Sequence, residues 1–180
     1  LIRRVTGHEA FALTMPLIVD KATGKKFGKS MRNAVWLSRH KTTPYELYQF
    51  WLNTSDESVI DYLKLFTFIS LDEIATIETS HEADRSARTA QRRLADEVVR
   101  FVHGEDARLG ASLATDTLFG STTLDSLIPL EQTLLKAEAP IKTITNSPLI
   151  DLLIETELAT SKREARQFIS EGAIALNDTI

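Results

Sequence analysis

Four short stretches constrain this chain more than anything else in it. Thr43-Pro44-Tyr45-Glu46, Thr54-Ser55-Asp56-Glu57, Ser70-Leu71-Asp72-Glu73 and Ser161-Lys162-Arg163-Glu164 each set a hydroxyl three residues ahead of a glutamate. At that spacing the hydroxyl accepts a first-turn N–H and the carboxylate reaches back to the cap, so each stretch starts a helix. Pro44 adds a preset φ at the first helical position. Behind Thr54, residues Val59, Ile60, Leu63 and Phe66 recur at helical spacing. A long helix is expected from about Glu82 to His103, with Ala87, Ala90, Leu94, Val98 and Phe101 on one face and Gly104 as its stop. Another is expected from Glu105 to about Thr117. The middle of the chain therefore reads as a helical bundle.

The two ends differ from that middle. FALTMPLIVD, residues 11–20, reads as a strand that runs into the Gly- and Lys-rich loop KATGKKFGKS, with a short extended piece at 34–36. Residues 120–146 show no clear period, and Ala137-Glu138-Ala139-Pro140 followed by IKTITN reads as a linker. Ser147-Pro148 opens a helix, Ser161 opens the next, Gly172 ends it, and AIAL begins a strand. The chain opens LIRRVTGHEA without an initiator methionine and stops at ALNDTI, which reads as part of a longer protein.

Composition narrows the chemistry. There is no cysteine, so disulfides and thiolate metal sites are excluded. The net charge of -4 argues against wholesale wrapping of nucleic acid, so RNA contact must come from local basic patches. No apolar run approaches the roughly 20 residues that span a membrane, and no signal peptide opens the chain. A cytoplasmic location is the expectation. His40, His81 and His103 show no metal-ligand spacing and read as surface or capping residues; no protein-bound metal is expected. Tyr45, Tyr48, Phe50, Trp36 and Trp51 read as core rather than as exposed stacking platforms. Arg85, Arg88, Arg92 and Arg93 read as a solvated face paired with Glu82, Asp84, Asp96 and Glu97.

Two cationic spots stand out. In the first, Lys25, Lys26, Lys29 and Arg32 gather around Gly24 and Gly28. The Gly28-Lys29-Ser30 ending is that of a P-loop, but the first P-loop glycine belongs at position 23, which is Thr23. The N–H groups of a P-loop must converge on one phosphate, so that spacing disfavours it. A lysine-bearing surface hairpin is the plain alternative. In the second spot, Lys162, Arg163 and Arg166 fall within an arc of about 100° at the start of a helix, beside Ser161 at its cap, while Ala165, Phe168 and Ile169 face the preceding helix through Leu149, Leu152 and Leu153.

KFGKS, followed by VWL and TPYELYQFWLNTSDESVIDYLKLFTFIS, resembles the KMSKS loop and its surroundings in bacterial-type tyrosyl-tRNA synthetases of class I. SPLIDLLIETELATSKREARQFISEGAIALND resembles the start of the S-four-like RNA-binding module found at the C-terminal end of those enzymes. The resemblance implies a mainly α chain: residues 1–38 as the end of a Rossmann-like α/β catalytic domain, 39–136 as a helical anticodon-binding domain, 137–146 as linker, and 147–180 as an incomplete α+β S-four-like module. It implies that Lys26 and Lys29 are catalytic, that Lys26, Phe27, Gly28, Lys29 and Ser30 form the ATP-phosphate loop, and that Ser161, Lys162, Arg163 and Arg166 meet RNA. ATP enters as substrate accompanied by Mg2+. Tyrosine and its tRNA are the other partners, and the full protein would be a homodimer. The HIGH-like motif and the tyrosine pocket would lie upstream, so the 180-residue chain is expected to be inactive alone. A non-catalytic RNA-binding protein carrying an S-four-like module is the alternative.

Overall fold

The computed structural model describes residues 2–14, 17–19, 21, 24, 35–120, 122–139, 141 and 147–175. These are organised as two compact units, Leu1–Ala139 and Pro140–Ile180. Among the described residues the regular structure is helical. The strand expected at 11–20 is reduced there to a single bridge residue, Val19, and no strand forms at 173–175.

In the first unit a short helix α1 (Ile2–Thr6) precedes the bundle of α2 (Pro44–Leu52), α3 (Val59–Phe66), α4 (Leu71–Ala83), α5 (Thr89–His103), α6 (Glu105–Phe119) and α7 (Pro129–Glu138). The capping box at Thr43 forms fully: its hydroxyl accepts the Glu46 N–H at 3.2 Å, and Glu46 accepts the Thr43 N–H at 2.7 Å. Ser70 caps α4 through the Glu73 N–H at 3.2 Å.

Three expectations are corrected. Thr54 does not cap α3, which starts at Val59 behind Ser58; the Thr54 carbonyl instead accepts from Arg88. The long helix does not begin at Glu82. Asp84 accepts the N–H groups of Ser86 (3.0 Å) and Ala87 (3.2 Å), an Asx turn that breaks the chain between α4 and α5. Arg88 then takes a left-handed φ of 51°, held by its guanidinium donating to the Leu52 carbonyl at 2.6 Å. Finally, the aperiodic stretch contains α7. Its cap residue Ile128 has no polar side chain, but Glu131 accepts the Ile128 N–H at 3.0 Å and Pro129 opens the first turn.

The core of this unit is built where α2, α3 and α5 face one another. On α5, Ala90, Leu94, Ala95, Val98 and Val99 are buried, the spacing of one helical face; Phe101 lies off it, 70% exposed. Tyr48 and Trp51 of α2 are buried, and Trp51 meets Phe50 and Tyr62 edge-on at 5.1 and 6.0 Å. Trp36 is half exposed, with the Lys41 ammonium 4.2 Å over its ring. His81 is 2% exposed, so it is an interior rather than a surface histidine, with a ring nitrogen 3.6 Å from Asp56.

Gly104 joins α5 to α6 at φ 91°, a conformation that disfavours any side chain. The joint is tied by charge. Glu105 accepts from Arg100 at 2.7 Å and from Arg108 at 2.7 Å, and Arg108 reaches Asp96 at 3.0 Å. The Arg92–Asp116 and Arg93–Glu73 pairs, 2.8 and 2.7 Å, link α5 to α6 and α4, so the arginine face finds partners mostly on neighbouring helices. Hydrogen bonds from Arg108 and Arg100 lower the Glu105 carboxyl from its ordinary 4.5 to about 2. A depressed acid stabilises the fold above its unfolded pKa and loses that contribution as pH falls. Glu105→Gln is therefore expected to cost about 1 kcal/mol at pH 7, the screened value for a half-exposed network. The deficit should vanish between pH 4.5 and about 2. Urea unfolding followed by tryptophan fluorescence checks it, because Trp36 and Trp51 both lie in this unit. A deficit that persists below that window would contradict the assignment.

In the second unit α8 (Leu149–Glu155) packs on α9 (Lys162–Ser170) through Leu153, Ala159 and Ala165. Ser161 caps α9 by accepting the Glu164 N–H at 3.3 Å. Glu164 reaches one residue further back than the usual box and accepts the Thr160 N–H at 2.7 Å. The end of α9 is a Schellman motif. Ala173 N–H bonds the Phe168 carbonyl at 2.9 Å, Gly172 N–H bonds the Ile169 carbonyl at 3.2 Å, and Gly172 has φ 66°.

Candidate functional site

The loop candidates Lys26, Phe27, Gly28, Lys29 and Ser30 lie outside the described residues. What holds the chain on either side of them is described. Upstream, Ile18 packs against the core of the first unit. The Lys21 N–H donates to the Ser58 hydroxyl at 3.0 Å, and its ammonium sits 2.5 Å from Asp61 on α3. Downstream, Val35 packs on the same core, and the Trp36 N–H donates to the Thr42 hydroxyl at 2.9 Å. Arg39 follows, 2.9 Å from Glu138 at the end of α7. That carboxylate is only 5% exposed. Burial raises its pKa and Arg39 opposes the rise. Nothing in the sequence singles out Ser58, Asp61 or Glu138, because each acts on a residue dozens of positions away.

In the second unit the predicted cations share the start of α9 but not the same circumstances. Lys162 reaches across to Asp151 of α8 at 2.8 Å. Both partners are well exposed, so the pair is weak and salt-sensitive. Arg163 and Arg166 are exposed and enter no ion pair with another described residue. Ser161 is occupied as the helix cap. The arrangement presents two open guanidiniums and one lysine loosely held by a neighbour. Guanidiniums suit bidentate contact with phosphate oxygens.

Residues 1–120 match the family model of class I tRNA synthetases (W and Y), and residues 130–179 match the tyrosine--tRNA ligase SYY-like C-terminal domain. The tyrosine--tRNA ligase of Macrococcus caseolyticus is 49% identical over 182 residues, covering 98% of this chain and 42% of that protein. That of Lactococcus lactis subsp. cremoris is 48% identical over 183 residues, covering 98% and 43%. A C-terminally truncated Aspergillus nidulans mitochondrial tyrosyl-tRNA synthetase matches 48% of this chain and 26% of its own at 42% identity, with a TM-score of 0.47. The chain thus spans less than half the length of the curated relatives it matches. With a class I model over two thirds of its residues, the chain belongs to the class I tRNA synthetases of the tryptophan and tyrosine group.

Proposed function

We propose that this chain is the phosphate-loop and tRNA-binding portion of a tyrosine–tRNA ligase. The observation that carries the reading is the order of matches in one chain: the class I model over residues 1–120, then a tyrosine-ligase C-terminal domain over 130–179. A non-catalytic RNA-binding protein would account for the second match but not the first.

In this reading the tyrosine carboxylate attacks the α-phosphate of ATP, forming tyrosyl-adenylate and releasing pyrophosphate. Lys26 and Lys29 hold the β and γ phosphates, where charge builds as the bond breaks. Such contacts strengthen toward the transition state and so raise the rate. Phe27 and Gly28 shape the loop, and Ser30 closes it. Mg2+ enters with ATP. The helical unit takes the anticodon arm, and the second unit is the start of an S-four-like module that meets the RNA backbone. Residues upstream of this chain supply the HIGH-like motif, the tyrosine pocket and the homodimer contact, so the 180-residue chain alone is inactive. Charging of tyrosine tRNA by the intact gene product tests the reading. Incorporation of tyrosine supports it, and a folded protein that binds the tRNA without charging it overturns it.

The geometry of α9 separates the cations within the RNA contact. Arg163→Ala with Arg166→Ala should weaken tRNA binding by the intact protein about tenfold and reduce the salt slope by about 2, one per lost phosphate contact. Lys162→Ala should do less, since Asp151 already competes for that ammonium. Filter binding across a salt series measures both. An unchanged slope in the double arginine variant would remove α9 from the interface.

A further inference from the structure

We propose that Ser58 and Asp61, at the start of α3, are positioning residues for the phosphate loop. The inference rests on the reading of residues 26–30 as that loop. Five peptide units separate Lys21 from Lys26, a reach of at most about 18 Å. Where Lys21 is held therefore limits where Lys26 and Lys29 act.

Lys21 is held twice by one helix. Its backbone N–H donates to Ser58 Oγ at 3.0 Å, and Ser58 is 1% exposed. A buried hydroxyl acceptor fixes the backbone itself, not only a side chain. The Lys21 ammonium sits beside the Asp61 carboxylate at 2.5 Å, with both groups about half exposed. An exposed pair contributes little energy, but it ties the Lys21 side chain to α3. On the far side Val35 returns to the same core and Trp36 is held by Thr42. The described residues on both sides of 22–34 are thus held against the same unit. Fixing both ends of a segment restricts the volume its side chains sample, and orientation of this kind contributes to rate without any contact with substrate. Ser58 and Asp61 touch no phosphate in this account. They act through Lys26 and Lys29.

The test uses the intact gene product and tyrosine-dependent exchange of pyrophosphate into ATP. Ser58→Ala and Asp61→Lys are each made in the wild-type and Lys29→Ala backgrounds. Each should lower the exchange kcat about fivefold in the wild type: Ser58→Ala by the loss of one hydrogen bond, and Asp61→Lys because a like charge drives Lys21 off α3. The KM for tyrosine should not change. In the Lys29→Ala background the further loss should shrink to less than twofold, because residues acting through one group are not additive. Asp61→Lys alters an exposed position and keeps the test open if Ser58→Ala fails to fold. An unchanged kcat for Asp61→Lys, an equal loss in both backgrounds, or a parallel rise in the tyrosine KM would overturn the proposal. If Lys29→Ala abolishes exchange while both α3 variants leave it intact, the anchor fails and the ligase reading stands. If the intact protein shows no exchange, both fail.

Discussion

Lys29→Ala is expected to lower tyrosine-dependent pyrophosphate exchange by the intact protein more than a hundredfold. In the proposed reaction negative charge moves onto the departing pyrophosphate, so a lysine on the β and γ phosphates would meet more charge in the transition state than in bound ATP. Removal of one such preorganised contact costs about 3 kcal/mol, and each 1.4 kcal/mol is tenfold in rate. The split matters as much as the size. The loss should fall on kcat, with the tyrosine KM unaltered, because the interaction strengthens only as the bond breaks. Steady-state exchange at varied tyrosine and ATP measures both. Lys26→Ala should fall in the same direction. A Lys29→Ala enzyme with normal kcat and raised tyrosine KM would remove this loop from phosphate chemistry.

The second large effect concerns Gly110, where α6 lies directly against α7. A Cβ at that position would lie 2.5 Å from the Leu134 carbonyl oxygen and 2.8 Å from Glu138 Cγ. The first of these is backbone and retreats only if α7 moves as a whole. Alanine normally gains about 1 kcal/mol over glycine inside a helix, but overlap of this depth reverses the sign. Gly110→Ala is expected to destabilise the first unit by about 3 kcal/mol, the upper range for overpacking a close contact. It should also loosen the Arg39–Glu138 pair, since α7 carries the buried carboxylate. Urea unfolding read by tryptophan fluorescence reports the loss. A Gly110→Ala midpoint at or above the parent value would show that α7 does not pack as described.

Three of the four hydroxyl caps were legible because the signal is local: Thr43, Ser70 and Ser161 need only residues within one turn, and of these Thr43 completes the reciprocal box. Thr54 shows the limit of that signal. The arginine that caps α5 and a glutamine within it engage its carbonyl from 34 and 37 positions along the chain. The break at Asp84 was also local in origin. An aspartate followed by Ser86 favours an Asx turn, yet the apolar period around it reads straight through as helix. Helix α7 was hidden because Ile128 offers no hydroxyl; Pro129 and Glu131 were the remaining signs. His81 looked like a surface residue because nothing in its own helix reveals burial against Asp56. The chemistry divides the same way. The proposed roles of the loop lysines and the α9 cations rest on sequence motifs. Ser58, Asp61 and Asp151 are visible only once the fold brings α3 to Lys21 and α8 to Lys162.

Pyrophosphate exchange by the intact gene product, with tyrosine and tryptophan offered separately, tests the central claim most directly, because the class I model covers both groups. The account predicts exchange that depends on tyrosine, with tryptophan giving no more than background. Exchange driven by tryptophan, or none with either amino acid from a folded protein, would contradict it.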